Sequence, residues 1–568
     1  MSATEETVAS EVGQTLREAG ADVVFGVVGS GNFHVTNALV GAGARFVAAR
    51  HEGGAATMAD AYARVSGGLG VLSVHQGPGL TNAMTGIAEA AKSRTPLVVL
   101  AAEATSRLSN FWVDQNALAR AVGALPRRIG SAKSARADTL AAVATARSDR
   151  RTVILNLPLD VQQQRVEAMN RFGLVSGETT VHPREDDLSA LTALVEAADR
   201  PVFIAGRGAR LADAREAIAT LAERAGALLA TSAAARGLFR GEAFDLDVSG
   251  GFATPLAAEL IRSADLIVGW GCGLNMWTLR HGTLIAPDAK VVQVDTEQDA
   301  LGRHRRLDLG VVGDAADTAR QVAGRVSGGV SGRGSGGVAG RVSGLVSTKH
   351  GYRSREIADR LKTEGRWPQI PYTDRSTADH IDPRTLSVAL NEMLPLERTV
   401  AVDSGNFMGY PVMYLDVPDA EGLVFTQAYQ SIGLGLSSAI GAALARPDRL
   451  TVAALGDGGA LMSITELETA VRERLGLLIV VYNDAAYGAE VHHFGPHGHD
   501  LGTVTFPDTD IAAIARGFGC EGATVRVVED LKVLGPWLGG ARDRPLVLDA
   551  KVAGDEAAWW LEEAFRGH

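Results

Sequence analysis

The sequence predicts an α/β protein made of three doubly wound parallel-sheet domains. Apolar strands alternate with helical segments along most of the chain, and several of these strands end in a glycine turn. A chain of 568 residues also exceeds the size of a single hydrophobic core. The domains are expected at residues 1–165, 186–325 and 382–568, with a flexible linker at 326–381.

The first domain begins with a helical period over residues 7–19, which ends at Gly20. A helix of small residues is expected at 55–65. The strands are expected at residues 23–28, 45–49 and 95–102 and at the starts of 70–82 and 152–160. Continuous apolar strands that alternate with helices predict a parallel sheet covered on both faces.

The second domain repeats this alternation. Its strands are expected within residues 201–208, 227–231, 264–271 and 290–295. Residues 326–347 are rich in Gly, Ser and Val and cannot bury much apolar surface, which predicts a flexible linker. Residues 367–371 are expected to continue this linker in an extended form.

The third domain is expected to begin at Asp382-Pro383 with a helix that continues to Leu394. Its strands are expected at 399–403 and 545–550 and within 453–488, where two strands flank a helix.

The composition restricts the partners of the protein. A net charge of −11 and a pI near 5.7 argue against a nucleic-acid partner, because such a partner needs a basic surface. No apolar run reaches the roughly 20 residues of a membrane span. The two cysteines cannot form a disulfide framework, and the acidic start of the chain does not resemble a signal peptide. We therefore expect a cytoplasmic protein.

Two acidic residues follow two predicted neighbouring strands in the third domain. The first strand ends in Gly456-Asp457-Gly458-Gly459, and the second ends in Asn483-Asp484. In an open parallel sheet, ligands bind at the carboxyl ends of the strands. Glycines allow close approach of a diphosphate to the backbone, and aspartate is a hard oxygen ligand for a divalent cation. Alone, Gly-Asp-Gly is more often a simple turn, but the second motif at this distance reverses that preference.

These two motifs resemble the diphosphate and metal motif of thiamine-diphosphate (ThDP) enzymes. In the first domain, His51-Glu52 and Gly77-Pro78-Gly79 resemble the pyrimidine-binding domain of the acetolactate synthase and pyruvate oxidase group. That superfamily also includes 2-oxo-acid decarboxylases. The resemblance implies a pyrimidine-binding first domain, a central second domain and a diphosphate-binding third domain.

The resemblance also assigns the cofactor residues. Glu52 would bond to N1′ of the aminopyrimidine and favour its imino tautomer, whose nitrogen deprotonates the thiazolium carbon. Ile432 would be the apolar wedge that bends ThDP. The diphosphate would lie at Gly456, Gly458, Gly459 and Tyr487, and Mg²⁺ would be bound by Asp457, Asp484 and the carbonyl oxygen of Ala486. The second metal ligand is more commonly asparagine in this superfamily.

The central domain holds FAD or a nucleotide in some relatives. Gly206-Arg207-Gly208 alone does not establish such a site, so FAD is possible but unsupported, and a purely structural domain is an equal alternative.

Four further residues are expected to contact the substrate. Ser30 lies in the first turn, His75 precedes Gly77-Pro78-Gly79, Gln115 lies in a loop where relatives have glutamine or histidine, and Glu490 follows Tyr487. The alternatives are a structural strand-end histidine for His75 and a structural role for Glu490. Four histidines at 492–499 lack the spacing of zinc ligands on one helix face, which favours a mobile loop over the site.

The resemblance implies a reaction on a 2-oxo acid or an α-diketone through an enamine intermediate. His75 and Gln115 resemble residues of the diketone-cleaving, acyloin-forming branch. We therefore expect acetolactate-synthase-like carboligation from pyruvate or a small α-diketone, of the kind that an acetylacetoin synthase performs. The alternative is non-oxidative decarboxylation of a 2-oxo acid to an aldehyde.

Two other classes are less consistent with the sequence. An NAD-dependent oxidoreductase needs a complete glycine fingerprint, which is missing after Val28. A non-catalytic homologue would not need both Glu52 and Asp457. The resemblance further implies a homodimer or homotetramer in which Glu52 of one chain faces Asp457 of another.

Overall fold

The computed structural model describes residues 7–166, 180–326, 351–554, 556–561 and 566. These residues include three six-stranded sheets, all of whose strand pairs are parallel, and helices cover each sheet. The predicted fold class is therefore confirmed. The chain divides into two compact units, of which one contains the first and third sheets and the other contains the second.

The first sheet has the strand order β2-β1-β3-β4-β6-β5. Its strands are β1 (Val23–Gly26), β2 (Arg45–Ala48), β3 (Gly70–Val74), β4 (Leu97–Glu103), β5 (Leu125–Arg128) and β6 (Thr152–Pro158). Its helices are α1 (Val8–Glu18), α2 (Phe33–Gly41), α3 (Glu52–Ser66), α4 (Pro78–Lys92), α5 (Gln115–Ala121), α6 (Ala135–Ser148) and α7 (Leu159–Gln162).

The start of α3 differs from the prediction. The helix begins at Glu52 rather than at residue 55, because His51 caps it by accepting a hydrogen bond from the Gly53 N–H at Nδ1 (3.0 Å). Glu52 is therefore in the first helical turn, where the helix dipole favours a carboxylate. The first strand also ends earlier than predicted, at Gly26.

The second sheet has the strand order β12-β11-β10-β7-β8-β9. Its strands are β7 (Pro201–Ala205), β8 (Leu228–Thr231), β9 (Asp245–Val248), β10 (Leu266–Trp270), β11 (Lys290–Asp295) and β12 (Leu309–Val312). Its helices are α8 (Glu185–Ala197), α9 (Arg207–Leu211), α10 (Arg215–Ala225), α11 (Pro255–Arg262), α12 (Ala315–Arg325) and α13 (Arg355–Glu364).

Part of the predicted linker is ordered structure of this second unit. Residues 327–350 of the predicted linker lie outside the described residues. From residue 351 the chain is structured: Tyr352 is buried and donates its hydroxyl hydrogen to the Leu260 carbonyl oxygen (2.9 Å), and Leu361 on α13 is buried. Trp367 begins a short 3₁₀ helix instead of an extended segment, and its Nε1–H donates to the Phe252 carbonyl oxygen (2.7 Å).

The third sheet has the strand order β14-β13-β15-β16-β18-β17. Its strands are β13 (Arg398–Val402), β14 (Leu423–Phe425), β15 (Leu450–Gly456), β16 (Leu477–Asn483), β17 (Glu521–Val525) and β18 (Leu546–Lys551). The helices are α14 (Pro383–Met393), α15 (Gly409–Tyr414), α16 (Gly435–Ala445), α17 (Asp457–Met462), α18 (Glu466–Arg472), α19 (Gly488–Phe494), α20 (Ile511–Gly517) and α21 (Leu534–Gly539). As predicted, Asp382 begins the first of these helices: its carboxylate accepts the Arg384 N–H (2.7 Å).

The first and third sheets share one hydrophobic core, in which α3 packs against α16. The approach is close, because a Cβ at Gly441 would lie 2.2 Å from the Met58 carbonyl oxygen. Small residues on both helices permit this contact. No helix among the described residues has the length and hydropathy that crossing a bilayer requires.

Candidate active site

Two acidic side chains meet at the carboxyl ends of β15 and β16. These strands are parallel neighbours, so Asp457 after β15 and Asp484 after β16 lie side by side. Their carboxyl groups hydrogen-bond to each other, and burial raises the pKa of both. The charge of Asp457 raises the pKa of Asp484 further. Asp457 is buried and Asp484 is partly buried, and their hydrogen-bonded carboxyl groups present closely spaced hard oxygens, which suit a divalent cation.

The turn after β16 is fixed by hydrogen bonds at its first residue, Asn483, and at its last, Tyr487. Asn483 is buried, and its amide donates to Asp549 (2.8 Å) while its oxygen accepts the Ala485 N–H (3.1 Å). Ala485 has a positive φ of 53°. Two residues later, the Tyr487 N–H donates to the Val504 carbonyl oxygen (2.9 Å). The turn therefore fixes the backbone at Ala486, directly after Asp484.

The glycines of the first motif form a cradle that excludes side chains. A Cβ would lie 3.2 Å from the Phe407 ring at Gly456 and 2.6 Å from the Tyr487 ring at Gly458. At Gly459 it would lie 2.4 Å from an Asp403 carboxylate oxygen. Only glycine therefore fits at these positions of the turn that begins α17, and backbone N–H groups at the start of a helix suit a diphosphate.

We call residues 427–434, which contain Ile432, the wedge loop. One end of this loop is bound by Asp403, a fully buried residue that follows β13. Its Oδ2 accepts the Gly433 N–H (2.9 Å) and its Oδ1 accepts the Leu434 N–H (3.2 Å). Burial raises the pKa of Asp403 to about 6, although these backbone hydrogen bonds oppose the shift. Asp403 thus fixes the loop next to partly buried Ile432.

The other end of the wedge loop is bound by the first domain. Glu89 on α4 is fully buried, and its carboxylate accepts the N–H groups of Ala428 (3.3 Å) and Tyr429 (2.7 Å). Arg64 pairs with Glu89 at 2.8 Å and compensates its buried charge. The sequence interpretation missed the roles of Glu89 and Asp403. For Asp403, the available signal was a carboxylate directly after an apolar strand, where an unpaired charge is unfavourable.

Glu52 lies at the carboxyl edge of the first sheet, beside the Gly77-Pro78-Gly79 turn. Its Oε2 accepts a hydrogen bond from the Asn82 amide (3.1 Å). A Cβ at Gly79 would lie 3.4 Å from the other carboxylate oxygen, Oε1. The carboxylate is partly exposed, so it is available to a ligand at this edge.

His75 is close to Glu52 at the same edge. Its Nδ1 accepts the Gly31 N–H (3.1 Å), so we infer that the neutral ring carries its proton on Nε2. Burial lowers the pKa of His75, and the charge of Glu52 opposes that shift. The ring packs edge-on against Phe111, at a centroid distance of 5.2 Å. His75 is therefore a neutral hydrogen-bond donor near neutral pH.

The other predicted substrate residues differ in their environments. Ser30 is exposed in the turn between β1 and α2. Gln115 is buried at the start of α5, and its amide donates to the Asn156 side-chain oxygen (2.6 Å). Glu490 is partly exposed in the first turn of α19. The structure therefore places Ser30 and Gln115 at the edge with Glu52 and His75, whereas Glu490 follows the turn after β16 in the third sheet.

Three models of known protein families match successive parts of the chain. The three models describe thiamine pyrophosphate (TPP) enzymes, and thiamine pyrophosphate is another name for ThDP. The N-terminal TPP binding domain matches residues 6–122, the central domain matches 188–322, and the C-terminal TPP binding domain matches 403–550. The chain belongs to the ThDP-dependent enzyme superfamily.

Relatives of this ThDP enzyme have several activities in their names. Sulfoacetaldehyde acetyltransferase of Alcaligenes xylosoxydans xylosoxydans is 28% identical over 92% of this chain and 88% of its own. A probable 2-ketoarginine decarboxylase of Pseudomonas aeruginosa is 29% identical over 91% and 89%. The acetolactate synthase large subunit of Corynebacterium glutamicum is 25% identical over 98% and 88%.

The histidines of this ThDP enzyme at 492–499 lie on α19 and the turn that follows it. The His497 Nδ1 is 2.9 Å from the His493 carbonyl oxygen, and the two rings are 6.0 Å apart. In the part of the chain that the structure describes, no group of three or more His, Cys, Asp or Glu side chains is arranged to hold a metal ion. The predicted Mg²⁺ ligands, Asp457, Asp484 and the Ala486 carbonyl oxygen, include only two such side chains.

The glycine turn of the central domain is occupied by protein contacts. The Gly206 N–H bonds to the Trp270 carbonyl oxygen and the Gly208 N–H bonds to the Gly271 carbonyl oxygen, both at 2.9 Å. A Cβ at Gly206 would lie 2.4 Å from the Gly271 carbonyl oxygen. Both N–H groups therefore already have hydrogen-bond partners at the end of β10, and this turn provides no evidence for an FAD site.

A stability measurement tests the environment of His75. The unfolded histidine binds a proton below its ordinary pKa, whereas the folded residue resists protonation until the pH reaches its lowered pKa. Replacement of His75 by Asn removes this penalty. We expect the melting temperature of the wild type, relative to His75→Asn, to fall as the pH decreases from 8 to about 5. A difference that is constant, or that grows at low pH, would contradict the lowered pKa. His34→Asn removes an exposed histidine of the same domain as a control.

Proposed function

We propose that this ThDP enzyme catalyses Mg²⁺-dependent cleavage and formation of carbon–carbon bonds, and that it makes an acyloin from pyruvate or a small α-diketone. The observation that supports this most is that the chain contains two half-sites, each at the carboxyl edge of a parallel sheet. One contains the carboxyl pair and glycine cradle of the third sheet. The other contains Glu52 with Asn82 and His75 on the first sheet.

Each half-site has its own task in this proposal. Asp457, Asp484 and the Ala486 carbonyl oxygen hold Mg²⁺, while the backbone at Gly456, Gly458 and Gly459 and the Tyr487 ring receive the diphosphate. When bound, ThDP supplies a nucleophilic carbon and an electron sink for the cleaved bond. Ile432 would contact the cofactor rings from the wedge loop, which is hydrogen-bonded at both ends.

The first-sheet residues control protons and substrate orientation. Glu52 exchanges a proton with the aminopyrimidine ring at N1′. His75 donates its Nε2–H to the carbonyl oxygen of the substrate, which polarises that bond. Gln115 and Ser30 orient the acyl group, and Glu490 transfers a proton to or from the substrate oxygen.

The relatives support carboligation without deciding it. An acetyltransferase and an acetolactate synthase both have names that describe acyl transfer to an acceptor. A second candidate is non-oxidative decarboxylation to an aldehyde, which the similarity to a probable 2-ketoarginine decarboxylase and the position of Glu490 favour. The two candidates share every cofactor residue and differ only in what receives the acyl unit.

We also propose that the enzyme is a homodimer or homotetramer in the cytoplasm, with Glu52 and Asp457 of each site on different chains. Apolar side chains close to the half-sites support a partner subunit. Met462, which ends α17, is 63% exposed, and Phe33 at the start of α2 is 51% exposed. Exposed apolar residues of this kind mark protein interfaces when they cluster. Light scattering should give a mass of two or four chains.

Product analysis tests the proposed function. The purified enzyme with ThDP and Mg²⁺ is incubated with pyruvate and, separately, with 2,3-butanedione. Hydroxyketones of four or more carbons are the expected result. Acetaldehyde and CO₂ as the sole products would establish the decarboxylase instead. If neither substrate were consumed in a ThDP-dependent manner, the proposed substrate class would be wrong. Reactions without ThDP or with EDTA are the controls.

A further inference from the structure

A buried glutamate of the third domain binds the backbone immediately before Glu52. Glu466, the first residue of α18, is 1% exposed. Its Oε1 accepts the N–H groups of Arg50 (3.1 Å) and His51 (3.0 Å). Its Oε2 accepts the Thr469 hydroxyl (2.7 Å), which fixes the carboxylate on its own helix. All of these partners are hydrogen-bond donors, so the Glu466 carboxylate acts as an acceptor.

The sequence around Glu52 is adapted to this contact. A Cβ at Gly54 would lie 2.5 Å from the Glu466 Oε1, so only glycine permits the carboxylate to approach this closely. His51, whose N–H is bound by Glu466, is also the N-cap of α3, and its ring accepts the Gly53 N–H. The contact therefore fixes His51, the N-cap of α3, and Glu52 is the first residue of that helix.

The remaining contacts of α18 with this segment are at the surface. Glu468 pairs with the Arg50 guanidinium (2.6 Å), Arg472 donates to the Ala48 carbonyl oxygen, and Glu473, the residue after α18, pairs with Arg45 (2.6 Å). Solvent weakens such exposed pairs, whereas the buried Glu466 bonds are shielded from it. Of the residues on α18, Glu466 is thus the best placed to fix the backbone of Arg50 and His51, directly before Glu52.

We propose that Glu466 is a positioning residue that sets the direction of the Glu52 carboxylate. The proposal rests on the proposed role of Glu52. Since the bonds of Glu466 to this segment are to the backbone N–H groups of Arg50 and His51, its loss would let that turn shift while α3 itself remains. A shift of about 1 Å at a reacting group can reduce a rate by about 100-fold. The third domain would then orient the Glu52 carboxylate of its own chain.

The test compares Glu466→Gln with the wild type in two states. In the protein without ThDP, hydrogen–deuterium exchange of the peptide that contains Arg50 and His51 is measured by mass spectrometry, and faster exchange in the variant is expected. With ThDP and Mg²⁺ bound, the exchange rate of the thiazolium C2–H is measured after acid quenching. We expect that rate to fall by about 10- to 100-fold while ThDP affinity and the substrate KM change little.

Glu468→Gln is the matched control, since it removes the same charge from the same helix and breaks a contact to the same Arg50, but at the surface. It should leave both exchange measurements unchanged. Equal backbone and C2–H exchange in Glu466→Gln and wild type would overturn the proposal. If wild-type protein failed to accelerate C2–H exchange at all, the proposed function would be wrong, whatever the variant showed in the absence of ThDP.

A second variant covers the case in which Glu466→Gln does not fold. Gly54→Ala keeps every polar group and pushes a methyl group toward the Glu466 carboxylate. It should reproduce the faster backbone exchange at Arg50 and His51 and the slower C2–H exchange. Wild-type behaviour of Gly54→Ala in both measurements would contradict the proposed contact.

Discussion

Replacement of Asp457 by Ala should nearly abolish ThDP binding. The change removes one of two adjacent carboxyl groups at the ends of β15 and β16 and leaves Asp484 without its partner. Loss of a charged ligand of a buried metal ion costs about 3 kcal/mol, which corresponds to an affinity about 100-fold weaker. Isothermal titration calorimetry of ThDP in excess Mg²⁺ measures this directly, and EDTA should have the same effect on the wild type.

Asp543→Ala provides the control for this prediction. Asp543 belongs to the same domain but precedes β18, at the opposite edge of the sheet, where it pairs with Arg474 (3.1 Å). Its replacement should leave ThDP affinity unchanged. If Asp457→Ala bound ThDP as tightly as the wild type in the presence of Mg²⁺, the metal site would not lie at this pair.

Replacement of Glu52 by Gln should have the largest effect on turnover. Glutamine preserves the size of the side chain and can still bond to Asn82, but it cannot exchange a proton with the pyrimidine ring. Proton transfer by a positioned side chain contributes about 10²- to 10⁴-fold to a rate, so kcat should fall within that range. ThDP affinity should change by less than a few fold, because the diphosphate is held by the other half-site.

Glu18→Gln is a suitable comparison, since Glu18 lies at the end of α1 and pairs with Arg136 (2.9 Å) away from the proposed site. Its kcat should equal that of the wild type. A Glu52→Gln enzyme with wild-type kcat would contradict the assignment of Glu52.

The residues that could be predicted from the sequence lie directly after strands. Asp457 and Asp484 follow apolar strands of the third sheet and Glu52 follows a strand of the first, and strand pairing places each at the carboxyl edge of its own sheet once the strands are recognised. Their motifs are local, so a single sequence suffices to find them. The same logic located His75 after β3 and Ser30 after β1.

The supporting carboxylates Glu466 and Glu89 could not be predicted in this way, and for Asp403, which does follow a strand, the sequence did not show which groups it binds. Glu466, Glu89 and Asp403 bind backbone N–H groups of other segments, and backbone groups leave no trace in the side-chain pattern. Glu466 is 415 residues from His51, and Glu89 is 340 residues from Tyr429. On a helix, a glutamate normally indicates an exposed face, so burial of the first two depends on the packing of two domains.

The segment from residue 351 shows a similar limit. The helix α13 is highly charged, with Leu361 as its one buried residue, and a charged stretch after a glycine-rich linker favours a continued linker. Tertiary contacts decide otherwise, since Tyr352 bonds to Leu260 and Arg360 pairs with Glu259 (2.8 Å). Such contacts become visible only when the second sheet is assembled.

The central claim is that Glu52 activates a cofactor whose diphosphate is held at Asp457. The most direct test is the exchange of the thiazolium C2–H of bound ThDP in deuterated water, followed by proton NMR after acid quenching. The account predicts that wild-type enzyme with Mg²⁺ accelerates this exchange by about 10³-fold over free ThDP, and that Glu52→Gln loses most of the acceleration. Exchange at the rate of free ThDP in the wild type, or undiminished exchange in Glu52→Gln, would contradict it.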